Sequence, residues 1–257
     1  MIKFFRKIRQ KMLIENKVSK YMLYAIGEIL LVVIGILIAL AINNNSEAGK
    51  IKIKELNYLK GIKSDLHLNL LELNAYKLKR ETSVKSAEII LTFFEEEITI
   101  DPNEFNFHNL NVQVWYPIKK NDNTFQELIN SGNLAIISND YIKNTLLNLQ
   151  LGYKQISFLE VHLTYDFENY MYPIYFSITD LKSDIENYTF QVSKGAEGKN
   201  KKLSEEKIKL LLKNQTFKNG FVLSVFTNNK LILEYNTMIL MTEKLIVLID
   251  SELEKNL

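Results

Sequence analysis

At 257 residues, with 47% hydrophobic and 24% charged residues and only 3 proline and 9 glycine, the chain has the composition of a folded protein with one sizeable core, not of a disordered or collagen-like one. Its net charge of +2 provides no field that would draw nucleic acid, and the absence of cysteine excludes disulfide frameworks, cysteine-ligated metal centres and thiol catalysis.

The first element is a basic segment over residues 1–20, with Lys3, Arg6, Lys7, Arg9, Lys11, Lys17 and Lys20 against one acid, Glu15. Phe4, Ile8 and Met12 stand four apart among these cations, a pattern suited to a membrane surface that Lys3, Arg6, Lys7, Arg9 and Lys11 would contact. Positive charge that only sets orientation accounts for the same residues.

From Tyr21 to Ile42 the chain reads YMLYAIGEILLVVIGILIALAI, a run with a single charge that spans roughly 33 Å as a helix, enough to cross the hydrocarbon of a bilayer. Because the excess of cations precedes this run, the expected orientation is N-terminus in the cytoplasm and the domain of residues 46–257 on the periplasmic side of an inner membrane. Tyr21 and Tyr24 sit at one boundary, and Asn43, Asn44 and Asn45 end the apolar run at the other. Ala39-Leu40-Ala41 has the small-x-small form of a signal-peptide cleavage site, but the apolar run is longer than a signal core, so an uncleaved anchor is the expectation.

Glu28 lies inside this span, where a carboxylate costs on the order of 2.5 to 3.5 kcal/mol. Two readings offset that cost. In one, a partner helix, from another membrane protein or a second copy, pairs with Glu28 and approaches closely over Gly27, Gly35 and Ala39. In the other, a protonated or snorkelling Glu28 reaches the interface and Lys20.

Beyond the asparagines, Leu59, Ile62, Leu66, Asn69, Leu73 and Tyr76 follow 3-4 spacing, the seam of a long helix over about 46–97, with Asn69 as a register-setting polar residue. Residues 98–123 contain Pro102 and Pro117 and are expected as a loop whose Trp115 and Tyr116 fold back onto the bundle. Thr124 and Glu127 have capping-box spacing, and Ser131-Gly132 offers a stop. A second long helix starts at Ser138-Asn139-Asp140, carries Leu146, Tyr153, Ile156 and Leu159, and is expected to end at Pro173. After a mixed aromatic stretch and a mobile-looking charged loop at 194–202, Ser204 starts a short helix, and a final long helix covers Thr216 to Glu254. The expected class is all-α: one N-terminal transmembrane helix, then an up-and-down bundle of three long and two short helices.

Three blocks carry a resemblance: the first 44 residues, the centre NTFQELINSGNLAIISND, and the ending from TFKNG to LIVLIDSELEK. They resemble an uncharacterised family of bacterial single-pass membrane proteins defined only as a domain of unknown function. The central pattern is met here by Thr124, Phe125, Glu127, Leu128, Ser131, Gly132 and Leu134. Where the family follows its anchor with Gln-Ile-Asn-Asn-Trp-Asn, this chain has Ala41-Ile-Asn-Asn-Asn-Ser, which removes an interfacial tryptophan. The resemblance implies the anchored topology, makes the Gly27-Glu28 step a family feature, and supplies no activity.

Chemistry-bearing motifs are scarce. His67, His108 and His162 are far apart, and although Glu160 and Asp166 flank His162, no HExxH or third ligand accompanies them, so no metal site is expected. No Walker loop, dinucleotide fingerprint or G-x-S-x-G occurs, and Glu95-Glu96-Glu97 with Asp101 looks like an acidic helix end. The expectation is a non-catalytic membrane-anchored interaction or scaffold protein without a cofactor. A ligand-binding sensor acting through a separate membrane partner is the alternative, and an enzyme using acidic residues is a third.

Overall fold

The computed structural model describes residues 18–95, 101–113 and 117–255. These form α1 (Val18–Glu95), α2 (Pro102–Gln113), α3 (Asn123–Asn130), a 3-10 turn (Asn133–Ile136), α4 (Asp140–Asp166), a π turn (Phe167–Met171), α5 (Tyr172–Ile178), α6 (Leu181–Val192), α7 (Glu205–Leu212) and α8 (Gln215–Glu254). No strand occurs among the described residues, so the protein is all-α. Two compact units divide after Asn57.

In the first unit, α1 from Ile29 to Lys50 is exposed residue after residue. The helix expected to begin after Asn43-Asn44-Asn45 is instead continuous with the apolar one. Three solvated asparagines cost a helix only a few tenths of a kcal/mol each. Further along, the ion pairs Lys50–Glu47 (2.7 Å) and Lys52–Glu55 (2.9 Å) support it.

In the second unit α8 runs antiparallel to α1. Lys63 pairs with Asp250, Asn228 Nδ2 donates to Ser83 Oγ at 3.4 Å, and Lys218 reaches Glu95 at 3.4 Å, so residues rising along α1 meet residues falling along α8. The same reversal relates α4 to α8. Gly152 abuts Met238, Glu160 meets Tyr235, and Gly220 abuts Met171 just past the end of α4. Therefore α1 and α4 point the same way, and the segment between them carries the chain back. Between them lies the expected seam, with Leu59, Ile62, Leu66, Leu73 and Tyr76 buried. Opposite stand Ile142, Leu146, Tyr153, Ile156 and Leu163, while Leu231, Tyr235, Leu245 and Ile249 close the core from α8.

Several expectations are corrected. Asn69 does not set helix register. Its amide nitrogen donates to Asn121 O at 2.7 Å and its oxygen accepts from Asn121 N at 2.6 Å, which fastens the returning chain to α1. The 98–123 stretch contains a helix, α2, with Pro102 in its first position, where a missing N–H is harmless. The Asp101 carboxylate accepts from Asn103 N at 2.9 Å. Trp115 and Tyr116 lie outside the described residues.

The capping box does not form. Asp122 occupies the cap position of α3, the Thr124 amide donates to Asp65 Oδ2 (3.0 Å), and Glu127 Oε1 accepts from Tyr58 Oη (3.4 Å). The stop does form, with Gly132 at φ +69°, a left-handed turn that glycine adopts without strain. The start at Asn139 also forms, its side chain accepting from Tyr141 N and Ile142 N.

Pro173 does not end the helical path. The π turn before it widens the ladder, the Tyr172 amide bonding to Phe167 O, and Pro173 enters the first turn of α5 where its absent donor costs nothing. The mixed stretch after it holds α6. The loop at 194–202 is present, with Lys194, Gly195 and Gly198 at positive φ. Ser204 caps α7 and Asn214 caps α8.

Candidate functional site

The residues expected to meet a transmembrane partner all lie on α1. At about 100° per residue, Glu28, Gly35 and Ala39 fall on one stripe, whereas Gly27 sits about a quarter turn away from Glu28. A Cβ added at Gly27 or Gly35 would meet nothing within 4 Å, so the backbone there is open to a close neighbour. Among the described residues one helix is long and apolar enough to cross a membrane, and none of its apolar window is buried. The basic residues Lys3, Arg6, Lys7, Arg9 and Lys11 lie outside the described residues.

A second polar site sits at the centre of the bundle. Arg80 from α1 donates Nη2–H to Glu160 Oε1 at 3.0 Å, and Tyr235 from α8 donates its hydroxyl to the same oxygen at 3.0 Å. The Ile118 amide approaches both carboxylate oxygens at 3.3 Å. Side chains of Arg80 and Glu160 are each only 6% exposed, so this is a buried ion pair whose remaining acceptor capacity is met from two further elements. Burial pushes the Tyr235 hydroxyl well above its ordinary pKa, with Arg80 acting against the shift and Glu160 adding to it. It therefore stays a donor. The group ties α1, α4 and α8 together, with the Ile118 amide of the returning chain as a further donor.

The third site is a cleft of about 180 Å³ where α2, α5, α6 and α7 converge. Phe105, Tyr175, Ile208 and Leu211 form its apolar side, and Asn106, Asp180, Ser183, Asp184, Lys202 and Lys207 its polar side. Tyr175 Oη donates to Asp184 Oδ2 at 2.7 Å, and Asn106 Nδ2 donates to the Asp184 carbonyl at 2.9 Å. Burial raises the Asp184 carboxyl above the usual range, although hydrogen bonds from Tyr175 and Thr179 oppose it. Asp180, held by Ser183 Oγ at 2.7 Å, is lowered. Two neighbouring carboxyls thus have opposite tendencies, with Lys202 and Lys207 across from them. Such a cleft offers donors and acceptors to a small polar molecule. Sequence reasoning missed it because its residues come from four short elements, of which only α7 was expected.

Of the three histidines, His108 faces Ser86 Oγ at 3.1 Å and is lowered by burial against the pull of Glu104. His162 stands near Asp166, whose carboxyl is raised by burial and drawn down by His162. No cluster of three or more histidine or acidic side chains with metal-binding geometry occurs among the described residues.

An all-α protein with a long apolar N-terminal helix and a bundle closed by a buried ion pair is the class these features define. Within that class, the chain belongs to the family described as Family of unknown function (DUF6090), whose model matches residues 28–176. Neither the curated proteins nor the solved structures contain a match. The matched segment includes Glu28, Arg80 and Glu160 and stops before Tyr235.

Proposed function

We propose that this is a non-catalytic, membrane-anchored interaction protein. Residues 21–42 span the inner membrane once, residues 1–20 face the cytoplasm with their cations on the lipid surface, and the bundle stands in the periplasm. The observation that carries the reading is an apolar helix with no buried residue from Met22 to Ile42, exposed throughout from Ile29 on, while the bundle buries its own apolar seams. In this reading Glu28, Gly35 and Ala39 face a partner helix, the small residues admitting its backbone and Glu28 supplying the polar contact. Gly27, off that stripe, contributes little.

The test is affinity capture of the intact protein from detergent-solubilised membranes, with wild type, Glu28→Ala and Gly35→Leu side by side. A stoichiometric membrane protein that falls about tenfold in both variants, a difference of about 1.4 kcal/mol, is the expected result. Equal capture by all three refutes the contact.

The cleft supports a second reading, a ligand-binding domain that signals through a separate membrane partner. Its test is thermal stabilisation of the full chain by small polar metabolites. A shift abolished by Lys207→Ala supports it, and a flat response across the panel removes it.

A further inference from the structure

The cleft where α2, α5, α6 and α7 converge carries a charge arrangement that selects among small polar molecules. Its rim is held in place, because the chain leaving α6 is fastened beside it. Asn187, fully buried, donates Nδ2–H to Lys201 O at 3.0 Å, the Lys199 amide donates to Glu186 O at 2.9 Å, and Lys201 Nζ pairs with Glu186 at 3.5 Å. The next residue, Lys202, stands on the cleft, and among the described residues no ion pair or hydrogen bond engages its ammonium.

The acids come from the start of α6. Asp180 and Asp184 lie one turn apart, and the charge of Lys207 acts on both of them. One lysine balances one carboxylate and leaves the other in excess. Asn106 adds an acceptor to the same cleft. It is only 2% exposed, and Tyr175 Oη lies 3.4 Å from its Oδ1. The single hydroxyl proton is directed to Asp184 Oδ2 at 2.7 Å, so the amide oxygen keeps an open lone pair. The cleft therefore holds unmatched acceptors, an unmatched cation in Lys202, and an apolar wall of Phe105, Ile208 and Leu211.

We propose that the cleft binds a free α-amino acid with an aliphatic side chain, its ammonium toward Asp180, Asp184 and Asn106, its carboxylate on Lys202, and its side chain against Phe105, Ile208 and Leu211. The assignment rests on the bundle being a ligand-binding domain and names what that domain takes. A simple anion would meet the excess carboxylate and a simple amine would meet Lys202, whereas a molecule carrying both signs satisfies both. The volume, about 180 Å³, lies below the roughly 300 Å³ at which pockets for drug-sized ligands begin, which excludes a nucleotide or a disaccharide. The apolar wall distinguishes an aliphatic side chain from glycine, since covering it removes apolar surface from water.

The test is equilibrium dialysis of radiolabelled L-leucine against the full chain in lipid nanodiscs, with competition by isoamylamine, which is leucine without its carboxylate, by isocaproate, which is leucine without its ammonium, and by glycine. Leucine is expected to bind, and each competitor about tenfold more weakly or worse. Asp180 and Lys202 are both exposed, so Asp180→Asn and Lys202→Ala are expected to leave helical circular dichroism unchanged while each weakens leucine about tenfold. Lys202→Ala should also narrow the gap between leucine and isoamylamine, and Asp180→Asn the gap between leucine and isocaproate. Isoamylamine or isocaproate competing as well as leucine itself overturns the amino-acid assignment and leaves the cleft a ligand site. Leucine binding untouched by either substitution lies elsewhere and overturns the site. Absence of leucine binding overturns the assignment, and the metabolite panel then separates the two readings: a thermal shift by another compound, lost in Lys207→Ala, keeps the ligand-binding domain, and a flat panel removes that as well.

Discussion

Glu160→Ala tests whether the buried ion pair closes the bundle. The substitution removes at once the acceptor of Arg80 Nη2 (3.0 Å), of Tyr235 Oη (3.0 Å) and of the Ile118 amide (3.3 Å). Arg80 is 5% exposed and cannot turn to water without unpacking α1, so its charge loses its carboxylate while remaining buried. Breaking one side of a buried pair costs about 3 to 5 kcal/mol, a large share of the roughly 5 to 15 kcal/mol that holds a domain together. Urea unfolding of the full chain in mild detergent, followed by helical circular dichroism, reads the loss as a lower midpoint with an unchanged slope. The double variant Arg80→Met, Glu160→Leu removes both charges and fills the space, and most of the loss is expected to return. A single variant within about 1 kcal/mol of wild type, or a double variant no better than the single, refutes the reasoning.

Asp184→Asn is expected to raise the melting temperature at neutral pH. Burial lifts the folded-state pKa of Asp184, so at a pH between the unfolded and the folded value the folded protein holds a proton that the unfolded chain has released. Stability therefore falls as pH rises from the ordinary carboxylate pKa, about 4, through the folded value, and the asparagine escapes that loss. The advantage should vanish below about pH 4; a variant less stable than wild type at neutral pH contradicts it. Asn139→Ala and Asn214→Ala each remove side-chain bonds to helix amides and are expected to cost about 1 kcal/mol, more than Thr124→Ala, whose side chain caps nothing. Gly152→Leu drives a side chain into Met238 between α4 and α8 and should cost about 1 to 3 kcal/mol, partly restored by Met238→Ala; a neutral Gly152→Leu would mean the two helices are not in contact there.

The long elements were legible because their signal is periodic. Leu59 to Tyr76, Asn139 onward and the last forty residues announce their helices by spacing and caps, and Ser131-Gly132 announces its turn. What was missed follows from amides doing the work of apolar groups. In α2 the buried face includes Asn106, Asn109 and Gln113, and in α6 it is Asp184 and Asn187, so hydrophobic spacing shows little there. The buried partners hold one another, Gln191 Nε2 donating to Asn187 Oδ1 at 2.6 Å and Asn187 Nδ2 to Asn103 Oδ1 at 2.9 Å. Thr124 and Glu127 matched a capping box by spacing alone, but Asp65 and Tyr58 compete for the same groups from across the bundle. Pro173 was misjudged because a π turn leaves no mark in local propensity. Glu28, Gly35 and Ala39 were visible as small and acidic residues in an apolar run, and helix geometry alone separates Gly27 from them.

The parallel course of α1 and α4 has a consequence for how the chain is made. Synthesis delivers α1 first, but the helices that cover its seam arrive only after the returning segment and, for α8, more than a hundred residues later. Until then Leu59, Ile62, Leu66 and Leu73 have no cover, and the loop that must close to bring α4 alongside is long, which slows the step. The contacts of α4 with α8 are as distant in sequence as those with α1, Glu160 lying 75 residues from Tyr235 and 80 from Arg80, so neither pairing is favoured by locality. During that interval the uncovered seam of α1 is the surface most open to aggregation, and shielding it, by a chaperone or the ribosome surface, protects the yield of folded protein.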